Sequence, residues 1–116
     1  MSKKVLLLAF QGEIMCFAHV LIYAVDLQEK RHEVKVIIEG AATKLVGQLE
    51  QAGSPFFSLY KKVKESGMID CVCKACSAKM EVMSEVEASG LEINGDILGH
   101  PGISKYINEG FQVITF

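Results

Sequence analysis

Residues Lys4 to Leu27 read KVLLLAFQGEIMCFAHVLIYAVDL, and a change of rhythm within them decides the fold. Lys4 to Phe10 is an apolar run with no polar alternation, the pattern of a strand covered on both faces as in a parallel sheet. Gln11-Gly12 ends it. From Glu13 onward Ile14, Phe17, Ala18, Leu21, Ile22 and Val25 recur at three- and four-residue spacing, which places them on one face of a helix running to about Arg31. A buried strand feeding a long amphipathic helix is the first half of a βαβ crossover. A second stripe on the same helix, Met15, Val20, Tyr23 and Leu27, leaves little of its circumference polar, so a neighbouring helix or another subunit is expected to cover it.

Outward from this unit the alternation repeats. Val34 to Ile38 (VKVII) is β-branched and reads as a second strand, stopped by Glu39-Gly40. Ala42, Leu45, Val46 and Leu49 mark a short helix closing near Ala52-Gly53. Ser54-Pro55 reads as N-cap and first helical residue of a third helix carrying Phe56, Leu59, Tyr60 and Val63. Met68 to Cys73 (MIDCVC) is a third strand, and Ala75, Ala78, Val82, Met83 and Val86 predict one helix ending before Gly90. A short strand is expected around Leu91 to Asn94. Pro101 is expected to open a small helix with Ile103, Tyr106 and Ile107, capped by Gly110, and Phe111 to Phe116 (FQVITF) is the last strand. The expected architecture is α/β: one three-layer domain over residues 1–116, with a mostly parallel sheet and helices on both faces. Strands at about residues 3–10, 33–39, 68–73 and 111–116 are expected to lie parallel.

Composition narrows the function classes. A chain of 116 residues is the size of one domain and can bury roughly two thirds of its unfolded surface, enough for a core without staples. Half of it is apolar and 22% charged, which argues against disorder and leaves apolar surface for partner subunits. The formal charge of -2 provides no basic field for nucleic acid or anionic lipid. No apolar run approaches the roughly 20 residues of a membrane span, and the stretch after Lys3-Lys4 is too short and strand-like for a signal peptide. A cytoplasmic protein is expected. In a reducing compartment Cys16, Cys71, Cys73 and Cys76 are thiols or metal ligands rather than structural disulfides.

In open α/β sheets reactive groups gather in the loops beyond the strand carboxyl ends. Those loops hold Gln11 to Cys16, Glu39 to Thr43 and Cys73 to Cys76, which makes Gln11, Gly12, Gly40 and Lys74 candidate substrate contacts. Cys71, Cys73 and Cys76 form a Cys-x-Cys-x-x-Cys pattern across a strand end and the first turn of a helix. There the macrodipole and free N–H groups favour thiolate, so Cys73 and Cys76 are the candidate reactive thiols while Cys71 packs beside the strand. His100, in Gly-His-Pro-Gly, is positioned to overhang the strand ends. A metal held by these cysteines with Cys16 or His100 is a rival, disfavoured because no second Cys-x-x-Cys knuckle is present. Neither GxxxxGK[ST] nor GxGxxG occurs, and no cofactor is expected.

Taken together, the strand KVLLLAF with its long helix, the segment HEVKVIIEGAA, the strand ending MIDCVCKAC and the terminal NEGFQVITF resemble the DsrE/DsrF/TusD superfamily of small sulfur-relay proteins, including its YchN-like branch. The resemblance implies a five-stranded, mostly parallel sheet with flavodoxin-like layering and assembly into homo- or hetero-oligomers; the apolar excess and the second stripe on the first helix predict a homo-oligomer, a dimer, trimer or hexamer. The resemblance also implies a persulfide carried by the cysteine of Val72-Cys73, with Cys76 matching a second cysteine found in some relatives. Sulfur-donor and sulfur-acceptor proteins are then the expected partners, and any activity would be sulfurtransferase-like. The alternative is a non-catalytic oligomeric binding or scaffold module, with a small-ligand or metal site at the strand ends.

Overall fold

The computed structural model describes residues 2–116. Strand β1 (Lys4–Ala9) is buried from Val5 to Ala9, as its unbroken apolar run requires. It leads into α1 (Ile14–Glu29), where the Glu13 carboxylate accepts the Met15 N–H at 3.1 Å and caps the first turn. β2 (Glu33–Ile38) is followed by a 3₁₀ segment (Gly40–Lys44) that runs directly into α2 (Leu45–Leu49). Then come α3 (Phe57–Glu65), β3 (Ile69–Cys73), α4 (Lys74–Lys79), α5 (Met83–Ser89), the two-residue β4 (Ile93–Asn94), α6 (Ser104–Asn108) and β5 (Phe111–Thr115).

All five strands are parallel, in the order β4-β3-β2-β1-β5. The chain steps outward from β1 to β4 and then returns to the far side of β1, so the four long segments expected to be parallel are so. The two faces of the sheet are covered unequally. On one, Val5, Leu7, Ala9, Val36, Ile38 and Val72 pack against side chains of α1, α2, α3 and α5 in the main core. On the other, Leu6, Leu8, Ile37 and Cys71 meet Tyr106 of α6 and Phe111. Between Val36 and Ile37 the register slips, so that β3 advances from Ile69 to Cys71 against one step of β2. This bulge lets Ile69 and Val72 both join the main core while Cys71 faces α6.

Tertiary packing overrides four local expectations. Ile22, expected on the core face of α1, is 45% exposed, whereas Val20 of the second stripe is fully buried. The helix is rotated so that Phe17, Leu21 and Ala24 centre its buried side. Ser54-Pro55 does not open α3. Those residues form turns, and the helix starts at Phe57, because Phe56 is drawn against the main core in a non-helical conformation. The single helix expected across Ala75 to Val86 is two. Glu81 takes a left-handed φ of 59°, and the Val82 N–H bonds back to the Ser77 carbonyl at 3.0 Å, a Schellman closure. α4 can then pack on the 3₁₀ segment while α5 sends Val86 into the main core. Pro101 is buried ahead of α6, which begins three residues later at Ser104.

Candidate functional site

Alternation beyond the bulge puts Cys71 and Cys73 on the same face of β3, with Cys73 at the carboxyl end. Cys71 sits under Tyr106, where burial, assisted by the charge of Asp70, pushes its thiol up to about 12. Asp70 in turn accepts the Tyr106 hydroxyl and lies 3.9 Å from the Lys35 ammonium. Cys71 is thus a packed residue.

Cys73 is the N-cap of α4: its extended backbone ends the strand, and its Sγ accepts the Cys76 N–H at 3.4 Å. That spacing brings Cys76 over the same spot. His100 Nδ1 lies 3.1 Å from Cys73 Sγ and 3.7 Å from Cys76 Sγ, so one imidazole faces both sulfurs. The Cys73 thiol also points to the Gly99 carbonyl at 3.8 Å. Cys73 is fully buried, Cys76 half-buried and His100 exposed.

His100 is held there by a tight turn. Ile97 and His100 exchange both backbone hydrogen bonds, at 2.7 and 2.8 Å, across Leu98 and Gly99, whose φ values are 50° and 88°. Two successive left-handed residues are the signature of a type I′ turn. The Gly99 carbonyl accepts the Ala75 N–H at 2.8 Å, fastening the turn to the start of α4. A Cβ on Gly99 would come within 3.0 Å of the Ala75 Cβ, and one on Gly95 within 2.9 Å of the Gly99 carbonyl oxygen. Gly95 and Gly99 therefore serve close approach of the turn to α4.

The fourth member of the cluster is Glu39, which follows β2. The ligand atoms of Glu39, Cys73, Cys76 and His100 all lie within 4.8 Å of one another. Glu39 is buried, and that desolvation raises its carboxyl above the usual range against the opposing pull of His100 and of its hydrogen bond with Cys73. Cys73 is also shifted upward, first by burial and next by the adjacent Cys76 thiol. The lowered Cys73 pKa expected from a helix N-terminus is not found. α4 has only six residues, and removal from water outweighs the little its dipole supplies.

The other candidates are dispersed around this centre. Gly12 and Gly40 close the neighbouring loops: a Cβ on Gly12 would meet Ala41, and one on Gly40, which has φ 53°, would meet the Phe10 carbonyl. Both positions let the loops after β1 and β2 approach closely. Lys74 follows Cys73 and is exposed, as is Gln11. Cys16 is exposed on α1 beside His19, Tyr23 and Phe116 and is not among the four clustered donors. A surface cleft lined by residues such as Lys44, Gln48 and Glu85 contains none of the four donors. Sequence reasoning singled out Cys73, Cys76 and His100 but not Glu39. The available signal was a carboxylate at the end of the strand expected next to the cysteine-bearing one.

Comparisons with known proteins agree with the fold. The model of the DsrE/DsrF-like family matches residues 4–116. The uncharacterized protein MJ0733 of Methanocaldococcus jannaschii is 34% identical over 104 residues, 90% of this chain and 83% of that protein. An uncharacterized protein of Archaeoglobus fulgidus is 42% identical over 43 residues, 37% of this chain and 70% of that one. The solved structure of BT1422, a conserved protein of unknown function from Bacteroides thetaiotaomicron, superimposes with a TM-score of 0.70 at 19% identity, covering 98% of this chain and 95% of that one. No helix among the described residues is long and apolar enough to cross a membrane.

Proposed function

This chain belongs to the DsrE/DsrF-like family, and from that premise we propose that it is a sulfur carrier, a sulfurtransferase-like relay protein holding a persulfide on the cysteines after β3. The observation that carries this reading is the sharing of one imidazole by two thiols, at 3.1 and 3.7 Å from His100 Nδ1. Cys76, the more accessible of the two, gives its proton to His100, and the thiolate attacks the outer sulfur of a donor R–S–SH. The donor S–S bond breaks, R–S⁻ leaves and takes up a proton, and Cys76 carries the sulfane sulfur. An acceptor thiolate attacking that outer sulfur restores Cys76, with no net oxidation. Alternatively Cys73 attacks the inner sulfur of Cys76, expelling HS⁻ and leaving a Cys73–Cys76 disulfide that a dithiol reductant must reopen. The resemblance assigned the persulfide to Cys73; its complete burial favours the reverse division of roles.

Exposed Lys74 and Gln11 are the proposed contacts to the donor, with the chain backbone at Gly12 and Gly40. Donor and acceptor are proteins or small persulfides in a reducing, cytoplasmic setting. The exposed apolar side chains Met15, Ile22 and Tyr23 of α1 and Ile114 of β5 support burial against further copies of this chain, as a dimer, trimer or hexamer. Intact-mass spectrometry of the reduced protein after incubation with glutathione persulfide tests the central claim. One sulfur atom should be gained and should map to Cys76 or Cys73. An unchanged mass, or a gain that persists in the Cys73→Ser, Cys76→Ser double variant, would refute it.

A further inference from the structure

We propose that Glu39, Cys73, Cys76 and His100 together form a binding site for one soft divalent cation, zinc being the best fit. Four donors from three separate elements converge here: a carboxylate after β2, two sulfurs spanning the β3–α4 junction, and an imidazole from the Ile97–His100 turn. Their ligand atoms are mutually within 4.8 Å, and the widest pair need close by only about an ångström to share one tetrahedral coordination sphere. Tetrahedral zinc, with Zn–S near 2.3 Å and Zn–N near 2.0 Å, places its ligand atoms roughly 3.5 to 3.8 Å apart. The Cys76–His100 distance of 3.7 Å already falls in that range, and the Cys73–His100 distance of 3.1 Å would open by about half an ångström. Two sulfurs and an imidazole select a soft or borderline ion over magnesium or calcium, which take all-oxygen shells.

Burial bears on the charge balance. Glu39 and Cys73 are both nearly inaccessible, so the carboxylate and thiolate formed on metal binding would lie side by side away from water, where the bound cation neutralises them. Binding would release the thiol protons to water as the thiolates form. Four protein donors fill a tetrahedral shell, so the ion would be held rather than left with an open catalytic position. The site does not depend on the relay reading, although an ion and a persulfide would compete for the same sulfurs.

The test uses the full chain, reduced, chelator-stripped and kept anaerobic, titrated with cobalt(II) alone and then with zinc(II). The expected result is one cobalt per chain, with intense tetrahedral ligand-field bands and thiolate-to-cobalt charge transfer, bleached when zinc displaces it. Glu39→Gln and His100→Ala should each weaken binding by about 100-fold or more, the upper range reported even for outer-shell changes. Cys16→Ser should leave it unchanged. Circular dichroism checks that each variant is folded, and exposed His100 can be removed without opening the core. Weak octahedral spectra, or tetrahedral binding indifferent to both variants or lost with Cys16→Ser, would overturn the proposal. Sulfur loading is measured separately on the metal-free protein. Sulfur uptake without cobalt uptake defeats the metal site alone, and the converse defeats the relay alone.

Discussion

The imidazole of His100 reaches back 27 residues to sit 3.1 Å from the sulfur of Cys73, and the carbonyl of the intervening Gly99 is what anchors it, through the Ala75 N–H. The cluster of Glu39, Cys73, Cys76 and His100 is therefore closed by a turn whose backbone conformation only a few residues can adopt. Several outcomes depend on that arrangement.

Gly99 combines a φ of 88° with a Cβ position 3.0 Å from Ala75. Gly99→Ala is expected to push the turn away from α4 and to cost about 1–2 kcal/mol for the left-handed backbone. Cys73 should then alkylate faster than in the parent protein. Chemical denaturation and iodoacetamide mapping read the two effects; unchanged Cys73 labelling would mean that His100 does not guard it.

In the native, metal-free protein the thiols should label in order of access. Exposed Cys16 leads, half-buried Cys76 follows, and the buried Cys73 and Cys71 come last. Reaction requires thiolate at the surface, and burial opposes both conditions at Cys71 and Cys73. Peptide mapping after brief alkylation checks the order. Labelling of Cys73 ahead of Cys76 would return the leading role to Cys73.

Alkaline pH should destabilise the fold. The Cys71 thiol, pushed up to about 12 by burial, and the Tyr60 hydroxyl, raised by burial and by its hydrogen bond to Glu50, both keep protons that the unfolded chain gives up sooner. Folded values above unfolded ones mean that stability is full below about pH 8.5–9 and falls as pH climbs toward 12. Each such group contributes at most about 1.4 kcal/mol per pH unit. Urea midpoints at pH 8 and pH 10 provide the measurement, and Cys71→Ala should flatten the decline. A midpoint that rises with pH contradicts this account.

Glu81 occupies a left-handed position that glycine fills at no steric cost, and its side chain is exposed. Glu81→Gly is expected to stabilise the protein by up to about 1 kcal/mol, because relief of the backbone strain exceeds the added entropy of the unfolded glycine. Thermal unfolding reads the sign directly, and a lower midpoint would show that Glu81 makes a compensating interaction.

Self-association should follow from the uncovered face of α1 and the edge strand β5. Light scattering at micromolar concentration is expected to return a multiple of 12.7 kDa, and Tyr23→Glu should lower it. A monomer mass in the parent protein would dispose of the oligomer.

Much of the fold was legible because its signals are local. The runs KVLLLAF, VKVII, MIDCVC and FQVITF carry their burial in consecutive residues, and three- and four-residue spacing marks α1 wherever the chain folds. The Cys73 to Cys76 spacing was likewise visible, since one helical turn brings such residues together regardless of context. What the chain could not disclose locally is which face of an element another element covers. Ile22 and Val20 exchange places because α1 is rotated by its contacts with the sheet and α3. Glu81 splits a helix because α4 and α5 dock in different directions, a demand that no glycine advertises. The site shows the same division. Glu39 joins the cysteines only through the pairing of β2 with β3, and His100 only through a turn that packs on α4. The rise in the Cys73 pKa follows from that closure: proximity to a helix start is encoded in neighbouring residues, whereas exclusion of water is a property of everything folded over them.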